Sequence, residues 1–157
     1  MDRSTRTQLI ARYRQGYDAV MEALDGITDA ELDAREAPGE WSPREIAHHL
    51  ADSEMTSALR LRRLLVEEHP AITGYDQEAY VRRLTRDRPI APSLAAFRAA
   101  RESTAAILDR MTEEEWRREG THSESGAYAV TDWLAIYAAH AHDHADQIRR
   151  ARATVTS

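Results

Sequence analysis

The amino-acid sequence predicts an all-α protein, a four-helix bundle with a long crossover and short accessory helices. Three observations carry this prediction. Four long segments place apolar residues at steps of three and four. Capping patterns of the Ser/Thr-x-x-Glu type recur at segment starts. Period-two alternation bounded by turn residues, the mark of a strand, is nearly missing. With no internal repeat, low-complexity tract or linker, residues 1–157 read as one domain of ordinary size.

The first helix is expected from about Arg6 to Leu24, on a stripe of Leu9, Ile10, Tyr13, Tyr17, Val20, Met21 and Leu24. Gly16 weakens it slightly. Thr28 and Glu31 form a capping box for one short turn, and Pro38-Gly39 marks the loop that follows. The second helix has the strongest start signal. Ser42 suits the N-cap, Pro43 the first helical position and Glu45 the third, with Trp41 placed for a hydrophobic staple to Ile46. Its inward stripe reads Ile46, His49, Leu50, Ser53, Ser57, Leu61 and Leu64, ending near His69-Pro70.

Residues 67–92 hold Gly74, Pro89 and Pro92 and a short helical pattern over Gln77–Leu84. A connection this long exceeds a tight turn and suits a crossover along the bundle. The third helix is expected from Ser93 to about Arg110, with Leu94, Phe97, Arg101, Thr104, Ile107 and Leu108 on one side. Thr112 and Glu115 cap a short helix near Trp116, and a loop runs through Gly120 and Gly126. The fourth helix opens at Thr131 and carries Trp133, Tyr137, His140, His144, Gln147, Ile148 and Ala151 inward.

Composition excludes several function classes. The formal charge is −6 and no basic patch stands out, which argues against nucleic acid as a partner. There is no cysteine, so disulfides, thiolate ligands and a cysteine nucleophile are excluded. No apolar run approaches the roughly 20 residues of a membrane span, and the N-terminus lacks a signal-type apolar core. The expectation is a cytoplasmic protein with no membrane partner.

Five of the seven histidines fall in two clusters, His48-His49 and His140-Ala-His142-Asp-His144. On an α-helix, residues four apart lie about 40° from each other, so His140 and His144 share a face while His142 points roughly 200° away from His140. His49 falls in line with Ile46, Leu50 and Ser53. His48 lies about 100° off that line, on the side of Asp52 and Met55. Three inward imidazoles, His49, His140 and His144, make a tripod of the number found in catalytic zinc sites that keep a position open. Imidazole suits Zn, Ni, Cu and Fe(II) alike, so the pattern does not choose the metal. Two plainer readings fit the same residues: core histidines with one hydrogen bond each, or a surface metal-scavenging tract. A zinc-protease motif is excluded, because Ala141 stands where its glutamate would be.

The run Trp41-Ser-Pro-Arg-Glu-Ile-Ala-His-His-Leu-Ala-Asp-Ser-Glu, with Pro38-Gly39-Glu40 before it, resembles a block of the DinB/YfiT-like superfamily. His140 to Ile148 resembles that family's C-terminal HxxxHxxQI block, and the similarity extends over nearly the whole chain. The resemblance implies a four-helix bundle with a three-histidine metal site. Its ligands map to His49, the histidine followed by Leu, and to His140 and His144. It further implies a divalent metal, Zn or Ni above all, and a metal-dependent S-transferase using a low-molecular-weight thiol as co-substrate. The alternatives are a metal-dependent hydrolase and a non-catalytic metal-binding or stress-response bundle.

No catalytic residue beyond the ligands is legible. Glu45, Ser53 and Gln147, each about one turn from a ligand, are the candidates for outer contacts to the metal site. The expected partner is a small-molecule substrate. Apolar residues on helix exteriors (Met55, Ile136, Trp116), with the habit of relatives to pair, lead to the expectation of a homodimer.

Overall fold

In the computed structural model, residues 1–155 are described. Four long helices form a bundle: α1 (Arg3–Leu24), α3 (Pro43–Val66), α5 (Ala91–Leu108) and α6 (Val130–Ala153). Short elements stand between them: α2 (Asp29–Leu32), β1 (Ala71–Ile72), α4 (Gln77–Leu84), a 3₁₀ turn at Glu115–Arg117, and strands β2 (Glu119–His122) and β3 (Gly126–Ala129).

Local chemistry accounts for the helix starts. Asp2 accepts from Thr5 N and begins α1 three residues before the expected Arg6. Thr28/Glu31 and Ser42/Glu45 both close reciprocal capping boxes, and Pro43 occupies the first turn of α3. Asp132 reaches back to Ala129 N, so α6 opens at Val130. Helix α5 starts at Ala91, with Pro92 in its first turn rather than before it.

Two buried clusters reveal the direction of each helix. One gathers Tyr13, Leu61, Leu64, Ala105, Leu108, Trp133 and Tyr137; the other gathers Val20, Leu24, Ile46, Leu50, Leu94, Phe97, Ala145 and Ile148. The early part of α1 and of α6 therefore lies with the late part of α3 and of α5. Helices α1 and α6 run parallel and adjacent, and so do α3 and α5, antiparallel to the first pair. Parallel neighbours α3 and α5 need a connection that returns the length of the bundle. Residues 67–90 supply it, as the expected crossover, and carry β1 and α4.

The strands depart from the sequence reading. The loop expected through Gly120 and Gly126 is a β2–β3 hairpin, and β1 from the crossover adds to it in parallel, pairing Ala71 with Thr121 and Ile72 with His122. Thr121 N also donates to Pro70 O. That closeness requires Gly120, because a Cβ there would stand 2.3 Å from the same carbonyl. The expected helix near Trp116 is the single 3₁₀ turn. Trp116 itself is buried against Arg6, so it offers nothing to a dimer face, whereas Met55 and Ile136 are exposed.

Gly16 also has a packing role. A Cβ there would lie 2.7 Å from Arg101 Nη1 and 2.8 Å from the Ala141 methyl. The missing side chain lets α6 and a buried guanidinium close against α1. Among the described residues, no helix is long and apolar enough to cross a membrane.

Candidate metal centre

The capping box of α3 sets the phase that brings His49 inward, beside Ile46 and Leu50, which are fully buried. Across from it, α6 presents His140 and His144 on the stripe of Trp133, Tyr137 and Ile148. The three imidazoles converge. One nitrogen from each lies within 4.8 Å of the others, and the Nε2 atoms of His49 and His140 are 3.2 Å apart. Ring centroids are 5.2 Å apart for His49–His140, 4.9 Å for His49–His144 and 4.6 Å for His140–His144.

Their surroundings keep them neutral. Burial, with the nearby His144, pushes His49 down to about 3. Burial lowers His140 well below the ordinary imidazole range, the other two histidines adding to it, and burial lowers His144. A neutral imidazole has one lone pair available for a cation. His144 Nδ1 donates to Gln147 Oε1 at 2.9 Å, which leaves its Nε2 lone pair free. His140 Nδ1 is buried without a hydrogen-bond partner. The Nε2 atoms of His49 and His140 can share one proton, while the Nδ1 of His140 finds no protein partner. His49, His140 and His144 would each offer one lone pair to a divalent cation held by this cluster. The donor set, three neutral imidazoles with no carboxylate among them, suits a borderline divalent ion such as Zn or Ni.

The remaining histidines go elsewhere. His48, expected off the inward line, is nonetheless buried, against α5: Nε2 donates to Arg88 O at 3.3 Å and Ser93 Oγ donates to Nδ1 at 2.7 Å. Its side of α3 is a second interior face, covered by α5 and the crossover. His142 points away from the cluster and donates to Arg12 O at 2.9 Å.

The candidate outer residues divide. Gln147 touches His144 and donates from Nε2 to Glu40 at 3.2 Å. Ser53, one turn beyond His49, is buried in the wall of a cavity of about 620 Å³ that His140 also lines. Glu45 holds the Ser42 cap and pairs with Arg35. Sequence reasoning gave Trp41 only a staple role. Its ring lies 4.6 Å from His49 and 6.0 Å from His144, and its Nε1 donates to Glu78 on α4. Arg60, Tyr75 and Tyr137 were not singled out as site residues either, and all three line the cavity. Tyr75 reaches it from the crossover, which no periodicity could place.

Comparison with known proteins agrees with this arrangement. The family model of the DinB superfamily matches residues 12–148. A protein of Geobacillus thermodenitrificans described as a candidate metal-dependent hydrolase is 32% identical over 148 residues, covering 91% of this chain and 82% of that one. YfiT of Bacillus subtilis, described in the same terms, is 32% identical over 126 residues, covering 78% and 70%. The solved structure of YfiT superposes with a TM-score of 0.92 at 26% identity, over 99% of this chain and 90% of that one. A mycothiol-dependent maleylpyruvate isomerase shares the fold at 10% identity, with a TM-score of 0.74 over 91% of this chain and 60% of that one.

Proposed function

This chain belongs to the DinB superfamily, and on that premise we propose that it is a metal-dependent hydrolase whose divalent cation is held by His49, His140 and His144. One observation supports this above all. Three neutral imidazoles converge beside a cavity of about 620 Å³ that His140 itself lines. Relatives about a third identical over most of their length are described as candidate metal-dependent hydrolases.

A cation bound by three neutral ligands would keep its full charge and an open position, and would supply Lewis acidity toward a water or substrate oxygen. The chain's own groups do the rest. Gln147 holds His144 in one tautomer, and Trp41 covers the two rings away from the cavity contact with Tyr137. Ser53 and the Tyr75 hydroxyl give the cavity wall polar groups that can orient a substrate.

A second reading, S-transfer from a low-molecular-weight thiol, is favoured by one feature. No carboxylate base stands among the ligating side chains. A thiol is acidified by a cation without such a base, and the cavity has room for a second reactant.

The test is metal content by plasma mass spectrometry on tag-free protein, wild type beside His144→Ala, followed by ester and thiol-transfer panels. About one equivalent in the wild type and none in the variant is expected, with ester turnover in the loaded protein. Turnover confined to the thiol panel would favour the second reading. No metal in either protein after incubation with Zn or Ni would overturn both.

A further inference from the structure

We propose that the cavity beside the histidine cluster takes a substrate carrying one carboxylate, and that Arg60 is the residue that selects it. The inference rests on the metal reading above and adds the charge of the substrate.

Arg60 lies eleven residues beyond His49 on α3, which on a helix is about 20° of rotation, so both share one face. Its guanidinium lines the cavity that His140 also lines. Nη1 donates to the Tyr137 hydroxyl at 3.1 Å and Nη2 donates to Thr73 O at 2.9 Å. Both partners are neutral. No carboxylate of the described residues forms an ion pair with Arg60, and its Nε is buried without a hydrogen-bond partner. Of the five N–H donors in a guanidinium, two are used, which leaves the positive charge and the remaining Nη–H donors for an anion in the cavity. A partly buried cation without a counter-ion is costly unless an anion arrives to meet it.

Two further observations locate the anion. The Tyr75 hydroxyl is buried in the same wall without a hydrogen-bond partner. Tyr137 joins the two ends of the cavity: its hydroxyl accepts from Arg60, and its ring lies 5.9 Å from that of His140. A carboxylate on Arg60 therefore leaves the other end of the same molecule toward the histidines.

The same geometry limits the charge. Asp76 and Glu124 also line the cavity, and both are exposed to solvent. They disfavour a second negative group farther out. The fitting substrate is a monocarboxylate with its reactive carbonyl or electrophilic carbon several bonds from the acid.

The probes are succinic and glutaric monohydroxamates, which carry a free carboxylate, and their neutral amide counterparts. Affinity for zinc-loaded protein is read by titration calorimetry, so no turnover is needed. The acids are expected to bind at least about tenfold more tightly than the amides, the difference of one charge-assisted hydrogen bond pair. Arg60→Gln should abolish the preference, with its circular dichroism and zinc stoichiometry equal to wild type as the evidence that the variant is folded and loaded. Arg60→Lys should keep part of it, since the charge remains but the planar array of Nη donors is lost. Equal binding of acids and amides by the wild type overturns the inference whatever the variants do, and leaves the metal reading intact. A preference that survives Arg60→Gln overturns it likewise. Failure to take up zinc overturns the metal reading and this inference with it, whereas loaded protein that binds no hydroxamate overturns this inference alone.

Discussion

Gln147 Oε1 accepts the Nδ1 proton of His144 at 2.9 Å, three residues along the same helix, and so decides which nitrogen of that ring faces the other two histidines. An acceptor at Nδ1 also raises the basicity of the opposite nitrogen. Gln147→Leu is expected to weaken metal binding about 10- to 100-fold, measured by competition with a chelating dye. Gln147→Glu keeps the acceptor but sets a second carboxylate against Glu40, so it should stay close to wild type only when combined with Glu40→Gln. Unchanged affinity in the Leu variant would mean that packing under Trp41 alone sets the ring.

His140 contributes differently with and without metal. Its buried Nδ1 has no partner, a situation that costs about 1–3 kcal/mol. Leu is of similar volume, so His140→Leu should leave the metal-free protein within about 1.5 kcal/mol of wild type. Added zinc should raise the wild-type melting temperature, by the equivalent of about 2.7 kcal/mol at 100 times the dissociation constant. The variant should show no such rise. A zinc-dependent shift that persists in it would place the cation elsewhere.

Much of this centre was legible before any coordinates. The 3.6 period sorted His49, His140 and His144 from His142, because a helix face is a local property of the chain. It misjudged His48, since one helix can have two covered faces and the wheel does not say what covers the second. The caps at Thr28 and Ser42 were legible for the same local reason. The sheet was not. Glu119–His122 and Gly126–Ala129 bury only Gly120, His122 and Tyr128, too few for an apolar alternation, and β1 arrives from about 50 residues away. Tyr75 and Arg60 acquire meaning only when that crossover is laid against α3.

Acid should destabilise the metal-free protein in a definable window. The three ligand histidines are neutral in the fold, with His49 lowered to about 3 and the other two lowered as well, all chiefly by burial. In the unfolded chain they titrate near 6.5. Between these values the unfolded state binds more protons, so stability is fully present above about pH 6.5 and falls as pH drops toward 3. Urea midpoints between pH 7 and 5, above most carboxylate titration, should decline in the wild type. They should decline much less in a variant with all three histidines changed to Gln. Parallel slopes would refute the assignment of the window to these rings.

The interior of the bundle also holds an ion pair that reaches the metal centre without touching it. Glu54 and Arg101 are almost wholly buried and bond at 2.7 Å, while the Tyr13 hydroxyl donates to the other carboxylate oxygen at 2.5 Å. Arg101 Nη1 donates to Tyr13 O at 2.6 Å, and Nη2 also reaches Tyr137 O at 3.3 Å, one turn before His140. Removing one partner leaves the other charge buried and unmatched. Glu54→Gln and Arg101→Met are each expected to cost about 3–5 kcal/mol in urea denaturation. Replacing both with apolar residues should cost less than the two single changes added together, because no orphaned charge remains. The link through Tyr137 adds a second readout. Loosening α6 just ahead of His140 should weaken zinc binding by Glu54→Gln even at temperatures where the variant is fully folded. Zinc affinity equal to wild type in the folded variant would confine the pair to a structural role.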